Sequence, residues 1–388
     1  MRQSYSNITP VMVRKVASSI LTKTLKFQTY KRSVSLNVLV DLLLLVAGTG
    51  HTLFAIAKRF AFSHETARKA IKANLPKLDV LTQRLNDALY AVMAFSRRDR
   101  QRHWNVAIDT HNVPYYGSRA TPHIVGGQKN RGTKYFHSYA TAVLTHRHRR
   151  YTVGLVSVAK GNKPHELVNQ LLTQVRSRGL IVGGVVLDSG FDSGETILLL
   201  QQLGVSYAVP LRRKGNKSNR RNDCFSRPSG TIETVDWVTE QSRKPVTTSA
   251  VVWKGRGQAK TRVFAFSGWG ATSAVSQVCR ARLCRRRYRE RFGIETSYRQ
   301  KNQARGWTTS RDAVYRLLLE GLALILRQLW VRLTEEITRA NGLKPSAWVG
   351  ELPLAEMIEW LIDAIKTPDE PKRSISINSM TIMTHPIP

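Results

Sequence analysis

The sequence predicts an α/β fold: a mixed sheet flanked by helices, interrupted by an inserted β subdomain, with helical N- and C-terminal regions. Three observations carry this. Between Trp104 and Pro210 the residue types run strand, strand, strand, helix, strand, helix, strand, an order that builds a mixed sheet with helices packed on it. From Leu211 to about Ala281 the texture changes to TIETVDWV, TTSAVVWK and TRVFAFSGW, which alternate like edge-exposed strands. On either side of these parts the apolar residues recur at three and four, the helical period.

Taken in order, residues 1–98 read as a helical DNA-binding region. LNVLVDLLLLVAGTG is its longest apolar stretch, and it carries Asp41 and breaks at Gly48 and Gly50, short of the ~20 residues that span a bilayer. It is therefore expected as a buried helix. Residues 52–75 look like two short helices joined at a turn, with Ser63 as the N-cap of the second. A helix-turn-helix would place Ser63, His64, Thr66, Arg68 and Lys69 at the start of a recognition helix, whereas a plain helical hairpin would leave Arg68 and Lys69 on a solvated face. After the charged hinge Arg97–Arg98–Asp99–Arg100, the first part of the core spans 99–210. WNVAID, KYFHSYATAVLT and RYTVGLVSVA have the β-branched and aromatic content of strands, the last two joined by the basic turn HRHR. HELVNQLLTQVRS reads as a helix, and LIVGGVVLDSG as a strand buried on both faces. GETILLLQQLG and VSYAVP supply another helix and strand. The insertion covers 211–283, the second part of the core 284–335, and a helical C-terminal region 336–388 ends in about 20 residues expected to be disordered.

The charge balance is the unusual quantity. Sixty-one Lys+Arg against 26 Asp+Glu give a net charge of +35, which predicts salt-sensitive attraction to a polyanion, nucleic acid before membrane. Residues 205–300 hold 21 Lys+Arg against 6 Asp+Glu, so the insertion and the helix after it concentrate the charge. Cys224, Cys279 and Cys284 form no Cys-x-x-Cys pair, which argues against a disulfide framework or a structural zinc site. No phosphate-binding glycine loop is present, so no nucleotide cofactor is implied. His146 and His148 lack a partner at metal-ligand spacing. Without a leader-like opening, the expectation is a cytoplasmic protein.

Asp109 closes WNVAID and Asp188 closes IVGGVVLD, both at strand carboxyl ends, where ligands approach a sheet. Two converging carboxylates supply hard oxygens for Mg²⁺ or Mn²⁺. Each alone reads equally well as a turn residue. A third acid changes the balance: in YRERFGIETSYRQK, 3.6 residues per turn set Tyr288, Arg291 and Glu295 within roughly 60° of one another on an unbroken helix. Glu290, among the arginines, reads as a charge-balancing partner.

Asp109 in AIDTHNVPYYG, Asp188 in VVLDSGFDSG and Glu295 in YRERFGIETSYRQK resemble the Asp-Asp-Glu triad of DDE-type transposases with a ribonuclease-H-like catalytic domain. More narrowly, the chain is similar over residues 100–330 to insertion-sequence transposases that carry a β-strand insertion between the second Asp and the Glu and a Tyr-Arg-Glu-Lys signature around that Glu. The resemblance implies a catalytic triad Asp109, Asp188 and Glu295 holding two Mg²⁺ or Mn²⁺ ions, cleavage of element ends by hydrolysis, and joining of the 3′-OH to target DNA. It further implies a hairpin intermediate, terminal repeats and target DNA as partners, a homodimer in the synaptic complex with the C-terminal helices in dimerisation, and a prokaryotic, nucleoid-associated setting. Two alternatives stay open: a metal-dependent nuclease that does not join, and a transposase-derived DNA-binding protein without catalysis.

The match slips in two places. The family's lysine falls seven residues after the glutamate, where this chain has Asn302, with Lys301 one short. On an unbroken helix Lys301 points about 120° from Glu295 and Arg299 about 40°, so Arg299 is the expected phosphate contact beside Tyr288 and Arg291 unless the helix distorts, and Lys301 stays open as the other DNA-binding candidate. Ser189 stands where many relatives have arginine. Further candidates for DNA phosphates are Arg119, Lys129, Arg131 and Lys134 in the loop after the first strand, and Arg212, Arg213, Lys214 and Lys217 in the insertion. Tyr288, then Phe292 and Trp307, are candidates to stack on an unpaired base.

Overall fold

The computed structural model describes residues 2–31, 34–93, 95–146, 149–215, 220–254, 261–269, 276–342, 352–368 and 374–383. Lys217 and His148 lie outside them. The chain opens with strand β1 (Arg2–Ile8) and helices α1 (Pro10–Leu25), α2 (Leu36–Thr49), α3 (Leu53–Ala57), α4 (His64–Asn74) and α5 (Leu78–Met93). Thr9, Ser35, Thr52 and Ser63 cap the first four helices, each hydroxyl accepting the N–H three residues on. The apolar run is α2. It is buried among other helices, ends at Gly50 with φ of 66°, and pairs its one acid, Asp41, with Arg14 at 2.6 Å.

A single turn α6 (Arg97–Arg100) leads into β2 (His103–Tyr115), β3 (Val125–Asn130), β4 (Thr133–His146), β5 (Arg149–Val158), α7 (Pro164–Ser177), β6 (Ile181–Leu187), α8 (Gly194–Gln202) and β7 (Ser206–Leu211). Along the sheet the order is β5–β4–β2–β6–β7, antiparallel for the first two pairings and parallel for the next two. β3 pairs with the start of β4, making a basic hairpin beyond β5. After a turn α9 (Arg220–Asp223) come β8 (Ile232–Val238), β9 (Pro245–Trp253) and β10 (Arg262–Ser267).

These three strands do not form the separate subdomain expected from the sequence. β10 pairs with β7 along Tyr207–Leu211, β9 with β10 and β8 with β9, extending one nine-stranded sheet. The reason is burial: Val263, Ala265, Ala250 and Val252 are all inaccessible and continue the same apolar layer that α7 and α8 cover.

The last elements are α10 (Gln277–Glu290), α11 (Gly293–Lys301), α12 (Ala313–Ala340), α13 (Leu354–Lys366) and β11 (Ile375–Met383). α10 and α11 pack on the opposite sheet face through Ala281, Cys284, Tyr288 and Ile294 against Ala107, Val143, Val186 and Phe264. α1, α2, α4 and α5 share one apolar core with α12 and α13, so the helical opening and the helical end are one body rather than two. Gly321 sets the contact of α12 with α5: a Cβ there would lie 2.5 Å from the Leu85 side chain. The C-terminal stretch is not featureless, because β11 pairs antiparallel with β1 and ties the two chain ends together. All three cysteines are free thiols. Among the described residues no helix is long and apolar enough to cross a membrane.

Candidate active site

Strand order places the first two acids side by side. β2 and β6 are adjacent and parallel, and their pairing ends at Ile108 opposite Leu187, so Asp109 and Asp188 come just past it side by side; Asp109 does not close its strand as expected, because β2 runs on to Tyr115 paired with β4. Asp188 begins a tight turn, Ser189–Phe191, closed by the Phe191 N–H donating to the Asp188 carbonyl at 3.0 Å. The insertion steadies that turn. The Arg212 guanidinium donates to Ser189 at 2.9 Å, and buried Arg221 ion-pairs with buried Asp192.

The third acid arrives from a helix that is broken, not continuous. Between α10 and α11 the chain makes short-range bonds from Arg291 N to Tyr288 O, Phe292 N to Arg289 O and Ile294 N to Arg291 O, which turn the axis before Glu295. Both Arg291 and Phe292 keep helical dihedrals, and the expected neighbours stay together, Arg291 contacting the Tyr288 ring and Glu295. Glu295 stands in the first turn of α11.

All three carboxylates meet one guanidinium. Arg291 lies 2.8 Å from Asp109, 3.6 Å from Asp188 and 3.6 Å from Glu295. It is 5% exposed and is backed by the rings of Tyr288 and Phe292 at 5.4 and 5.5 Å. Asp188 and Glu295 open to solvent, with 39% and 52% of their side chains exposed, while Asp109 is nearly buried. Burial pushes the Asp109 carboxyl up to about 6. Arg291 pulls it down, and the neighbouring Asp188 and Glu295 charges push it up again.

Three hard-oxygen donors are a set that divalent ions of the Mg²⁺ class fit, and here all three meet the Arg291 guanidinium. Among the described residues no three acid, histidine or cysteine side chains converge on a common metal point.

Other predicted residues fall differently. Tyr288 is 7% exposed and packs edge-on against Phe264, so it supports Arg291 from within the core instead of offering a face to a base. Of the three stacking candidates, Phe292 and Trp307 are the exposed ones. Arg291 faces the acids, not a DNA strand. Arg299 is exposed on α11. Lys301, by contrast, is 1% exposed and turned inward on an ion pair with Glu320, which removes it from the DNA-facing surface. Glu290 pairs with Arg287 at 3.2 Å. Arg131 and Lys134 are exposed at the β3–β4 hairpin, and Arg119 and Lys129 with them. Arg68 and Lys69 are exposed on α4, both within reach of Glu65 at 2.6 and 3.8 Å. His64, Arg68 and Lys72 line a groove of about 450 Å³ closed on its far side by Thr308, Thr309 and Ser310.

Sequence reading missed a polar cluster directly behind the acids. His111, two residues beyond Asp109 on the same face of β2, has its Nε2 2.8 Å from Glu320 and 2.9 Å from Lys301. Burial pushes the Lys301 ammonium down to about 8 despite Glu320, and burial with Lys301 beside it lowers His111. Burial opposes ionisation of Glu320, yet Lys301 and then His111 outweigh it and hold the carboxyl far below its usual range. Two signals were legible: Glu320 is the lone acid inside VYRLLLEGLALILRQLW, and His111 repeats the Asp109 face at the period of a strand.

The family described as "Transposase DDE domain" matches residues 100–319, more than half of the chain. The chain belongs to that family. Its fold is similar to that of a piggyBac transposase, solved by cryo-EM as a synaptic complex with hairpin DNA: TM-score 0.57 at 13% identity, covering 95% of this chain and 83% of the other. No curated protein matches. Both the ribonuclease-H-like sheet and the transposase family expected from the sequence are thus present in this DDE chain.

Proposed function

We propose that this transposase-family chain binds the ends of a DNA element, cleaves them by metal-dependent hydrolysis and joins the freed 3′-OH to target DNA. The convergence of Asp109, Asp188 and Glu295 on one guanidinium carries the reading. Asp109, Asp188 and Glu295 are the residues that would hold two Mg²⁺ or Mn²⁺ ions. Such ions supply activation of an attacking oxygen and charge neutralisation of a leaving one in an in-line displacement at phosphorus.

The protein's own groups do the rest. Asp109, nearly buried midway along β2, is the fixed member of the set, and Asp188 and Glu295 present their carboxylates from the open side, where a strand can approach. Arg291 neutralises the acids while the site waits, and Tyr288 and Phe292 hold its guanidinium in place. Arg299 on α11 and Arg131 and Lys134 on the hairpin are placed to meet phosphates; Arg68 and Lys69 on α4 are placed to bind DNA further from the chemistry. Two copies on paired ends would bring both cleavage sites together.

The test supplies the protein with DNA carrying the inverted repeats that flank its gene, Mg²⁺ and a target plasmid. Nicked ends and integration products are expected from wild type and neither from Glu295→Ala. Nicking without integration would identify a nuclease, and end binding without Mg²⁺-dependent nicking a DNA-binding protein.

A further inference from the structure

Glu295 sits on the exposed first turn of α11, and no carboxylate contact other than Arg291 at 3.6 Å ties it to Asp109. What fixes α11 against β2 lies further along the helix. Tyr298, three residues after Glu295, shares a 2.7 Å hydrogen bond with Thr141 and donates to the Asp109 carbonyl at 3.2 Å. Its ring lies 4.5 Å from that of His111. Lys301, three residues after Tyr298 on the same helical face, joins His111 of β2 and Glu320 of α12. Lys301 and Glu320 are each 1% exposed. The contacts thus step around α11 by about 60° per rung, from the Glu295 side at its open end through Tyr298 to buried Lys301.

We propose that the buried Lys301–Glu320–His111 cluster, acting with Tyr298, is a clamp that sets the position of α11 against β2 and so the spacing of the Glu295 and Asp109 carboxylates. Lys301 is then a positioning residue and no phosphate contact. An ion held by two elements needs both at the right separation, and partners that orient such ligands commonly change metal affinity or activity 10–100-fold when removed. The clamp rests on the reading of the three acids as the metal site.

Removing one member of a buried ion pair leaves the other charge stranded, so single variants such as Lys301→Met confound folding with function. The informative protein is the double variant Lys301→Met, Glu320→Leu, which replaces the pair with apolar groups of similar volume, beside Tyr298→Phe, which deletes one hydroxyl. Four quantities are read: thermal stability, affinity for element-end DNA, Mn²⁺ affinity by electron paramagnetic resonance, and hydrogen exchange of the α11 amides. A folded double variant is expected to bind DNA as wild type does, to bind Mn²⁺ roughly 10–100-fold more weakly, and to lose protection in α11. Tyr298→Phe is expected to move Mn²⁺ affinity and exchange in the same direction by a smaller factor, and it decides the matter if the double variant does not fold. DNA affinity lost with Mn²⁺ affinity kept would overturn the clamp and restore Lys301 as a phosphate contact. Unchanged Mn²⁺ affinity and unchanged exchange would reduce the cluster to packing. Wild type that binds no Mn²⁺ sinks the metal-site reading, and α11 exchange then still reports on the clamp.

Discussion

Two clusters of charge lie back to back in this molecule, and they are built on opposite principles. In the outer one, three carboxylates share a single guanidinium, so their formal charges sum to −3 + 1 = −2. In the inner one, Glu320 is matched by Lys301, with His111 neutral at pH 7 because burial lowers its pKa, and the sum is −1 + 1 = 0. The inner cluster is sealed and balanced, as burial demands. The outer one is half open and short of positive charge. That shortfall, with exposed acids at the mouth, is what the proposed cations would make good.

The largest effect should come from the outer acids. Asp188→Ala or Glu295→Ala should lower DNA cleavage by more than about 10³-fold, since metal stabilisation of the transition state amounts to several kcal/mol, while end binding measured at fixed salt changes little. Next comes the cation between them. Arg291→Met should destabilise the ion-free protein by about 3–5 kcal/mol, and Mg²⁺ should raise its melting temperature more than that of wild type; equal responses would mean that ion and guanidinium do not compete for the acids.

A smaller effect separates the clusters by pH. Because the folded-state pKa of Asp109 is raised from 3.8 to about 6, native protein holds that proton more tightly than unfolded chain does. The resulting cost is absent below about pH 4, grows between pH 4 and 6, and is fully present above. Asp109→Asn should therefore stabilise the fold by on the order of 1–3 kcal/mol at pH 7–8, with the gain vanishing by pH 4 in denaturation curves, while abolishing cleavage. The smallest effect is expected far from both clusters. Arg68→Ala or Lys69→Ala should weaken DNA binding by a similar, modest factor for all sequences and reduce the salt slope by about 1. A sequence-selective loss would instead make α4 a base reader.

Much of this was legible in the chain. Asp109 and Asp188 announce themselves by closing apolar runs: Asp188 follows the last residue of β6, while Asp109 marks where β2 loses its β6 neighbour and runs on against β4 alone. Glu295 needed the flanking Tyr288 and Arg291, and their spacing pointed to the correct acid even though the helix assumed for it is broken at Arg291–Phe292. The angular argument brought Tyr288, Arg291 and Glu295 together as found, but periodicity does not say which side of that face the sheet covers, so the burial of Tyr288 on Phe264 was not legible. Lys301 was misplaced for another reason. Its partner Glu320 lies in a helix 19 residues on and His111 on a strand 190 residues earlier, and a long-range ion pair leaves no mark on local patterning. The insertion was recognised as strands, but its joining the main sheet depends on β7 offering an open edge, which only the assembled sheet reveals.

The core shared by α1, α2, α4 and α5 with α12 and α13 has a consequence for how the chain matures. During synthesis the opening helices emerge first and can pack on one another, yet the faces that α2 and α5 turn toward α12 and α13 stay uncovered until those helices leave the ribosome. The opening helices and the helix that anchors Lys301 through Glu320 therefore reach their final form in one late step, and a chain truncated before α12 would present bare apolar faces in place of a smaller working protein.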